Sequence, residues 1–177
     1  MNLSDDGVFE RIAEYMEVSA TTAPKAAGVD SLTTQVVEGE ELREIGEEMI
    51  SIGENRDDDG FIRDGNNVLD SEAILLVGSK KQEGLGLDCG GCGYESCQEF
   101  NDSEKNEFDF LGPNCIFKLL DLGIALGSAA KTASILNVDN RIMYRIGVVA
   151  KKLDYIDATV IMGIPISGKQ KNPYFDR

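Results

Sequence analysis

The four cysteines of the chain, Cys89, Cys92, Cys97 and Cys115, are spaced C-x2-C-x4-C-x17-C, and three of them fall within the stretch CGGCGYESC. Structural zinc sites usually pair their ligands as two separate CxxC knuckles, each clasping one side of a tetrahedron. Three ligands from one tight loop and a distant fourth suit a cubane cluster, whose iron corners each need one thiolate. The glycines between the cysteines fit the same purpose, since glycine allows positive φ, close backbone approach and N–H groups turned toward sulfur. The spacing therefore predicts a [4Fe-4S] cluster held by all four cysteines. A zinc site with the same four ligands, and free or transiently disulfide-bonded thiols, are the alternatives. YESCQEF predicts a short helix carrying Cys97. Cys115 is expected in the opening turn of a long helix, where free N–H groups and the helix dipole favour negative charge by about 0.3–1 kcal/mol.

Composition limits what else the chain can do. Histidine is absent, which removes His-based catalysis, Ser-His-Asp triads and every His-containing zinc or haem site. Chemistry is left to cysteines, carboxylates or a cofactor. Lys and Arg number 17 against 32 Asp and Glu, a formal charge of −15, which repels nucleic-acid phosphates and anionic membrane surfaces. Neither is expected as a partner. The acidity reads as a solvated surface or, more sharply, as a docking face for a basic redox partner protein. The segment MNLSDDGVFERIAEYM lacks a positively charged start before an apolar core, so no secretory signal is expected. The longest apolar region, Cys115 to Leu136, is broken by Lys118, Asp121 and Lys131, which argues against a membrane span. The expectation is a cytoplasmic protein whose cysteines are reduced thiols or metal ligands, not a disulfide framework.

The elements that must position the cysteines are read from periodicity. Phe9, Ile12, Ala13 and Met16 give residues 7 to 19 a helical repeat, ended by Pro24 and Gly28. SLTTQVVEG predicts a strand near residues 31 to 37, and EELREIGEEMISIG returns to the helical period. ENRDDDGFIRDGNNVLDS reads as a polar interruption before EAILLVGS, a short apolar run of the kind expected for a strand buried on both faces. The cysteine segment follows directly. Helix is expected from Pro113 to about Leu136, with the proline near the first turn, where its missing N–H costs nothing. NVDN is expected to start a second helix, DATVIMGIPIS a last strand, and GKQKNPYFDR an irregular tail. These elements predict an α+β fold, a sandwich of helices on a small sheet, in a single domain spanning residues 1–177 with an iron-sulfur-binding segment at 84–115.

CGGCGYESC followed by Cys115 resembles the cysteine segment of the four-cysteine iron-sulfur domain in corrinoid iron-sulfur proteins and Rnf-type electron-transport proteins, although GPNCIF replaces their CPPGG ending. The chain as a whole resembles a family of uncharacterised ferredoxin domain-containing proteins of anaerobes and methanogens. RDGNNV, CGGCGYESC, GPNCIFKLLDLGIALGSAAKTASILNVDNRIMYRIG and NPYFDR carry that resemblance. SATTAPKAAGVDSLTTQVVEG, LDLGIALGSAA and VIMGIPIS are similar to segments of flavin-dependent nitroreductases. This second resemblance implies a nitroreductase-like α/β sandwich, an intertwined homodimer and FMN as a further cofactor. The RRSxR segment with which nitroreductases grip the FMN phosphate has no counterpart here, so no flavin ligand is carried over. Lys169 and Arg177 in the tail are candidate phosphate contacts; a mobile basic tail is the alternative. The cysteine spacing and the resemblances leave three functions open: an iron-sulfur electron carrier, a flavin-dependent reductase fed by the cluster, or a non-catalytic module with a structural zinc site.

Three weaker signals remain. NRDDDGFIRDGN places Asn55, Asp57, Asp59 and Gly60 as in a calcium loop, but its twelfth position is Asn66 where a bidentate Glu is needed, so a solvated acidic turn is expected. Arg63 and Asp64 read as an ion pair, with a place lining the site as the alternative. Gly123 and Gly127, four apart inside a helix at a cost of about 1 kcal/mol each, imply close packing of another helix, a second subunit or a flat cofactor ring.

Overall fold

The computed structural model describes residues 7–80 and 83–175. In chain order its elements are α1 (Val8–Thr22), β1 (Leu32–Glu38), α2 (Gly39–Arg56), α3 (Asp59–Leu69), β2 (Ala73–Ser79), α4 (Cys97–Asp102), β3 (Asn106–Glu107), β4 (Leu111–Gly112), α5 (Ile116–Ile135), β5 (Asp139–Asn140), α6 (Tyr144–Lys152) and β6 (Val160–Ser167). Four strands form one sheet in the order β1-β2-β6-β5, and β3 with β4 forms a separate hairpin. All of these ladders are antiparallel.

β2 is buried at all seven positions, because helices cover both faces of the sheet. Ala73, Leu75 and Val77 join the core beneath α1 and α5 with Phe9, Met16, Leu122 and Ala129. Ile74 and Leu76 point the other way, into a second core with Ile45, Met49, Phe61, Val68 and Ile146 from α2, α3 and α6. The period of two along a strand thus serves two hydrophobic layers at once.

The helix α3 was not expected from the sequence. Its buried residues are Phe61, Asp64, Gly65 and Val68, a helical spacing in which only two of four positions are apolar. Asp58 starts the helix by accepting from the N–H groups of Gly60 at 2.7 Å and Phe61 at 3.3 Å, so the acidic run is a helix cap and not a bare turn. Gly65 lets α3 lie on α2: a Cβ there would come within 2.8 Å of the Gly46 carbonyl oxygen. Arg63 and Asp64 do pair, at 2.6 Å, and the buried Asp64 carboxylate also receives Arg145 Nη1 from α6 at 2.9 Å. One buried carboxylate therefore bolts α3 to α6.

Two further expectations, and the alternative of a mobile tail, are corrected. Pro113 precedes α5 by three residues instead of sitting in its first turn. Asp139 and Asn140 pair with β6 as β5, and the following helix begins only at Tyr144; an edge strand of two residues carries too little pattern to be seen. The tail is tied down through residue 175. Tyr174 is 3% exposed, its hydroxyl is 2.9 Å from Ser71 Oγ, and Arg141 Nη1 donates to its carbonyl at 3.0 Å. Burial pushes the Tyr174 phenol above its ordinary value. Arg177 lies outside the described residues.

Candidate metal centre

The cysteine segment is shaped by turns and caps in place of sheet pairing. Gly90 and Gly93 have φ of 69° and 90°, a left-handed backbone that glycine adopts without a Cβ penalty. The Gly93 N–H closes the turn on the Gly90 carbonyl at 3.0 Å, with Gly91 and Cys92 at its bend. Ser96 then caps α4 by accepting from the Glu99 N–H at 3.1 Å, while Glu99 Oε2 reaches back to the Glu95 N–H at 3.0 Å. This is the reciprocal logic of a capping box, moved by one residue. It places Cys97 as the first residue of α4, the short helix that the sequence predicted to carry it. The helix is anchored by Phe100, which is fully buried, faces Tyr94 edge-on at 5.8 Å and lies under Lys105 Nζ at 4.2 Å.

Two contacts draw the cysteines toward one another. Asp88 Oδ1 accepts from the Cys97 N–H at 2.6 Å, which ties the residue before Cys89 to the start of α4. Gly91 lies against the start of α5: a Cβ there would be 2.7 Å from Ile116 Cγ2 and 3.6 Å from Cys89 Sγ. Ile116 directly follows Cys115, so the CGGC turn rests on the helix that carries the fourth cysteine. The hairpin of β3 and β4 supplies the connection, and Asn114 Nδ2 fixes its exit by donating to the Leu111 carbonyl at 2.7 Å.

Cys115 is the N-cap of α5 and makes no side-chain capping bond. It is buried, Cys92 and Cys97 are half-buried, Cys89 is exposed, and all four are free thiols. Among the described residues, no three Cys, Asp or Glu side chains converge as a ligand set for one metal ion. The donor set, four soft thiols with one of them at a helix N-terminus that offers positive dipole to an anion, suits a cluster and equally a four-cysteine zinc site.

The first turns of α5 hold two residues that the sequence presented only as breaks in an apolar run. Lys118 is 5% and Asp121 3% exposed. Asp121 Oδ1 accepts from the Ala26 N–H at 2.9 Å, while its Oδ2 is buried with no hydrogen-bond partner among the described residues. Their spacing of three and six residues from Cys115, on the stripe continued by Leu122 and Ala125, was the available signal.

The opposite face of α5 is bare. Ile116, Leu119, Leu120 and Ile124 are 39–52% exposed, and a Cβ on Gly123 or Gly127 would meet nothing within 4 Å. Packing by another helix of this chain, one of the three readings of those glycines, is therefore not what the structure has. Cavities also flank the fold. One of about 760 Å³ opens beneath the hairpin, where Arg56 pairs with Asp109 at 2.7 Å and Lys151 with Glu107. Another of about 350 Å³ gathers Arg63, Lys169 and Lys171 around Asp70 beside the tail.

Comparison with known proteins follows this geometry. A family model described as "Uncharacterized protein containing a ferredoxin domain (DUF2148)" matches residues 111–177, a range that includes Cys115 but not the other three cysteines. An "Uncharacterized protein" of Archaeoglobus fulgidus is 51% identical over 165 residues, covering 93% of this chain and 89% of that protein. Among solved structures, the nitroreductase CinD from Lactococcus lactis in complex with 4-nitrophenol superposes with a TM-score of 0.62 at 10% identity, over 92% of this chain and 79% of that one. A nitroreductase with bound FMN from Desulfitobacterium hafniense gives 0.55 at 15% identity, over 97% and 83% of the two chains. The fold is nitroreductase-like, as the sequence resemblance implied.

Proposed function

Because the chain belongs to the family of uncharacterized proteins containing a ferredoxin domain, we propose that it is a cytoplasmic one-electron carrier whose Cys89, Cys92, Cys97 and Cys115 hold a single [4Fe-4S] cluster. Residues 84–115 form the cluster-binding segment of one domain spanning 1–177. The observation that carries this reading is the seating of the CGGC turn on Ile116, beside the N-cap cysteine of α5. The cluster supplies reversible one-electron chemistry. The chain supplies the rest. Asp88 orients the start of α4 through the Cys97 N–H, the glycines leave room for close approach, and the buried Cys115 keeps one side of the site out of water. Glu83, Asp88, Glu95, Glu99, Asp102 and Glu104 give this segment an acidic surface that suits a basic redox partner. The bare stripe of α5 suits a second copy of the chain, giving a homodimer. No helix among the described residues is long and apolar enough to cross a membrane.

Anaerobic reconstitution with iron and sulfide, followed by metal and sulfide analysis and a visible spectrum, tests the proposal. About four irons and four sulfides per chain with broad charge-transfer absorption are expected. One zinc per chain, without such absorption, would establish the structural-zinc alternative instead.

A second reading, a flavin-dependent reductase fed by the cluster, is favoured by the cavity that brings together Arg63, Lys169 and Lys171 in a chain of strongly negative charge. Asp64, itself held by Arg145, fixes the Arg63 guanidinium at its edge. FMN titrated into the purified protein is expected to lose fluorescence on binding, and Lys169→Ala to weaken that binding about tenfold. No uptake of FMN by the wild-type protein removes this reading and leaves the first intact.

A further inference from the structure

Residues 84–88 run beside α4 as a strap pinned at both ends. At one end the Gly84 N–H donates to Asn101 Oδ1 at 2.8 Å; at the other, Asp88 Oδ1 accepts from the Cys97 N–H at 2.6 Å. Cys97 and Asn101 are four residues apart on α4, so their side chains share one face. The strap closes over that face, and Gly84 comes against the sulfur. A Cβ on Gly84 would stand 2.9 Å from both Cβ and Sγ of Cys97 and 3.5 Å from its Cα. Space alone requires glycine here: Gly86 in the same strap has a left-handed φ of 74°, whereas Gly84 does not. Rotation of the Cys97 side chain would move Sγ away but leave its Cβ in place, so an added methyl group lifts the strap as well as turning the sulfur. Either response changes the position or the cover of a sulfur that is half-buried in the structure.

We infer that Gly84 is a positioning residue for Cys97: its backbone holds the Cys97 sulfur by direct contact in the place from which it binds the cluster, with Asn101 as the latch of the strap. This rests on the cluster reading above for the identity of the bound group. A ligand held in place before the metal arrives loses little freedom on binding it. The strap also limits the approach of water and chelators to that corner of the site.

The test treats the apo wild-type, Gly84→Ala, Asn101→Ala and Asn101→Asp proteins with iodoacetamide and follows each cysteine by peptide mass spectrometry. Gly84→Ala and Asn101→Ala are expected to raise the rate at Cys97 about tenfold, the scale of one lost hydrogen bond, with Cys89, Cys92 and Cys115 unchanged. Asn101→Asp keeps the acceptor oxygen and is expected to stay near the wild type. After anaerobic reconstitution, Gly84→Ala is expected to lose iron to a chelator about tenfold faster, as when other residues that orient metal ligands are replaced. An unchanged rate at Cys97 in Gly84→Ala, or an equal rise at all four cysteines, overturns the inference. So does a wild-type rate of iron loss from a variant whose Cys97 has become more reactive. If Gly84→Ala does not fold, the Asn101 pair decides: a rise confined to Cys97 in Asn101→Ala and absent from Asn101→Asp supports the latch, and no rise in either overturns it. Wild-type protein that takes up no iron and sulfide defeats the cluster reading, whereas the alkylation pattern judges the strap by itself, which separates the two failures.

Discussion

Gly147→Ala is expected to destabilise the protein by about 3 kcal/mol or more, at the upper end of the cost of overpacking. The α6 backbone is pressed onto β6 at this residue. A Cβ on Gly147 would stand 1.7 Å from the Ile161 carbonyl oxygen and 2.3 Å from its carbon. Neither atom belongs to a side chain that can rotate away, and Ile161 is itself fully buried between β2 and the second core. The neighbouring Ile146 fills the space above Gly163, where a Cβ would come within 2.2 Å of Ile146 Cγ2. The helix therefore cannot slide to make room. For a chain of this size the melting temperature should fall by roughly 6–12 °C, measured by circular dichroism on the apo protein. A melting temperature within about 2 °C of the wild type would mean that α6 does not rest on β6 as described. The consequence reaches the surface, because α6 carries Arg145, which holds Asp64, and Lys151, which holds the hairpin leading to Cys115.

Much of this frame was legible in the sequence wherever one physical requirement dominated. AILLVGS announced β2 because both its faces are covered, and the helical repeats of α1 and α2 followed from their apolar stripes. The misses fall where the buried residue is not apolar. In α3 the interior positions include Asp64, neutralised by two arginines, and Gly65, present so that two helices can touch; hydrophobicity has no mark for either. The cysteine spacing announced a turn, a short helix with Cys97 and a helix start near Cys115. It could not announce the β3–β4 hairpin, whose turn is held by an ion pair from α2 and whose first strand by one from α6, residues distant in sequence. Lys118 and Asp121 looked like surface breaks in an apolar run. The burial of Asp121 goes with the loop at Ala26, which only the tertiary fold brings onto α5.

Cys115→Ser is expected to leave the apo fold intact while reducing the reconstituted cluster to a three-iron form or abolishing it. The reason lies in the position of the residue. Cys115 occupies the N-cap of α5 without making a capping bond, and serine is among the strongest N-cap formers, able to accept from an N–H in the first turn. The substitution removes a sulfur and supplies what a helix start prefers. A loss of iron in this variant therefore cannot be ascribed to a melted helix. Serine oxygen is also a harder donor than thiolate, less suited to a cubane iron. Iron and sulfide per chain, with electron paramagnetic resonance of the oxidised protein to detect a three-iron cluster, report the result, and circular dichroism of the apo protein checks the fold. A Cys115→Ser protein that retains the full iron content and an unchanged spectrum would remove Cys115 from the ligand set. A variant that unfolds although serine can cap α5 would identify the four cysteines as a structural metal knot, in which the bound metal contributes the folding energy outright.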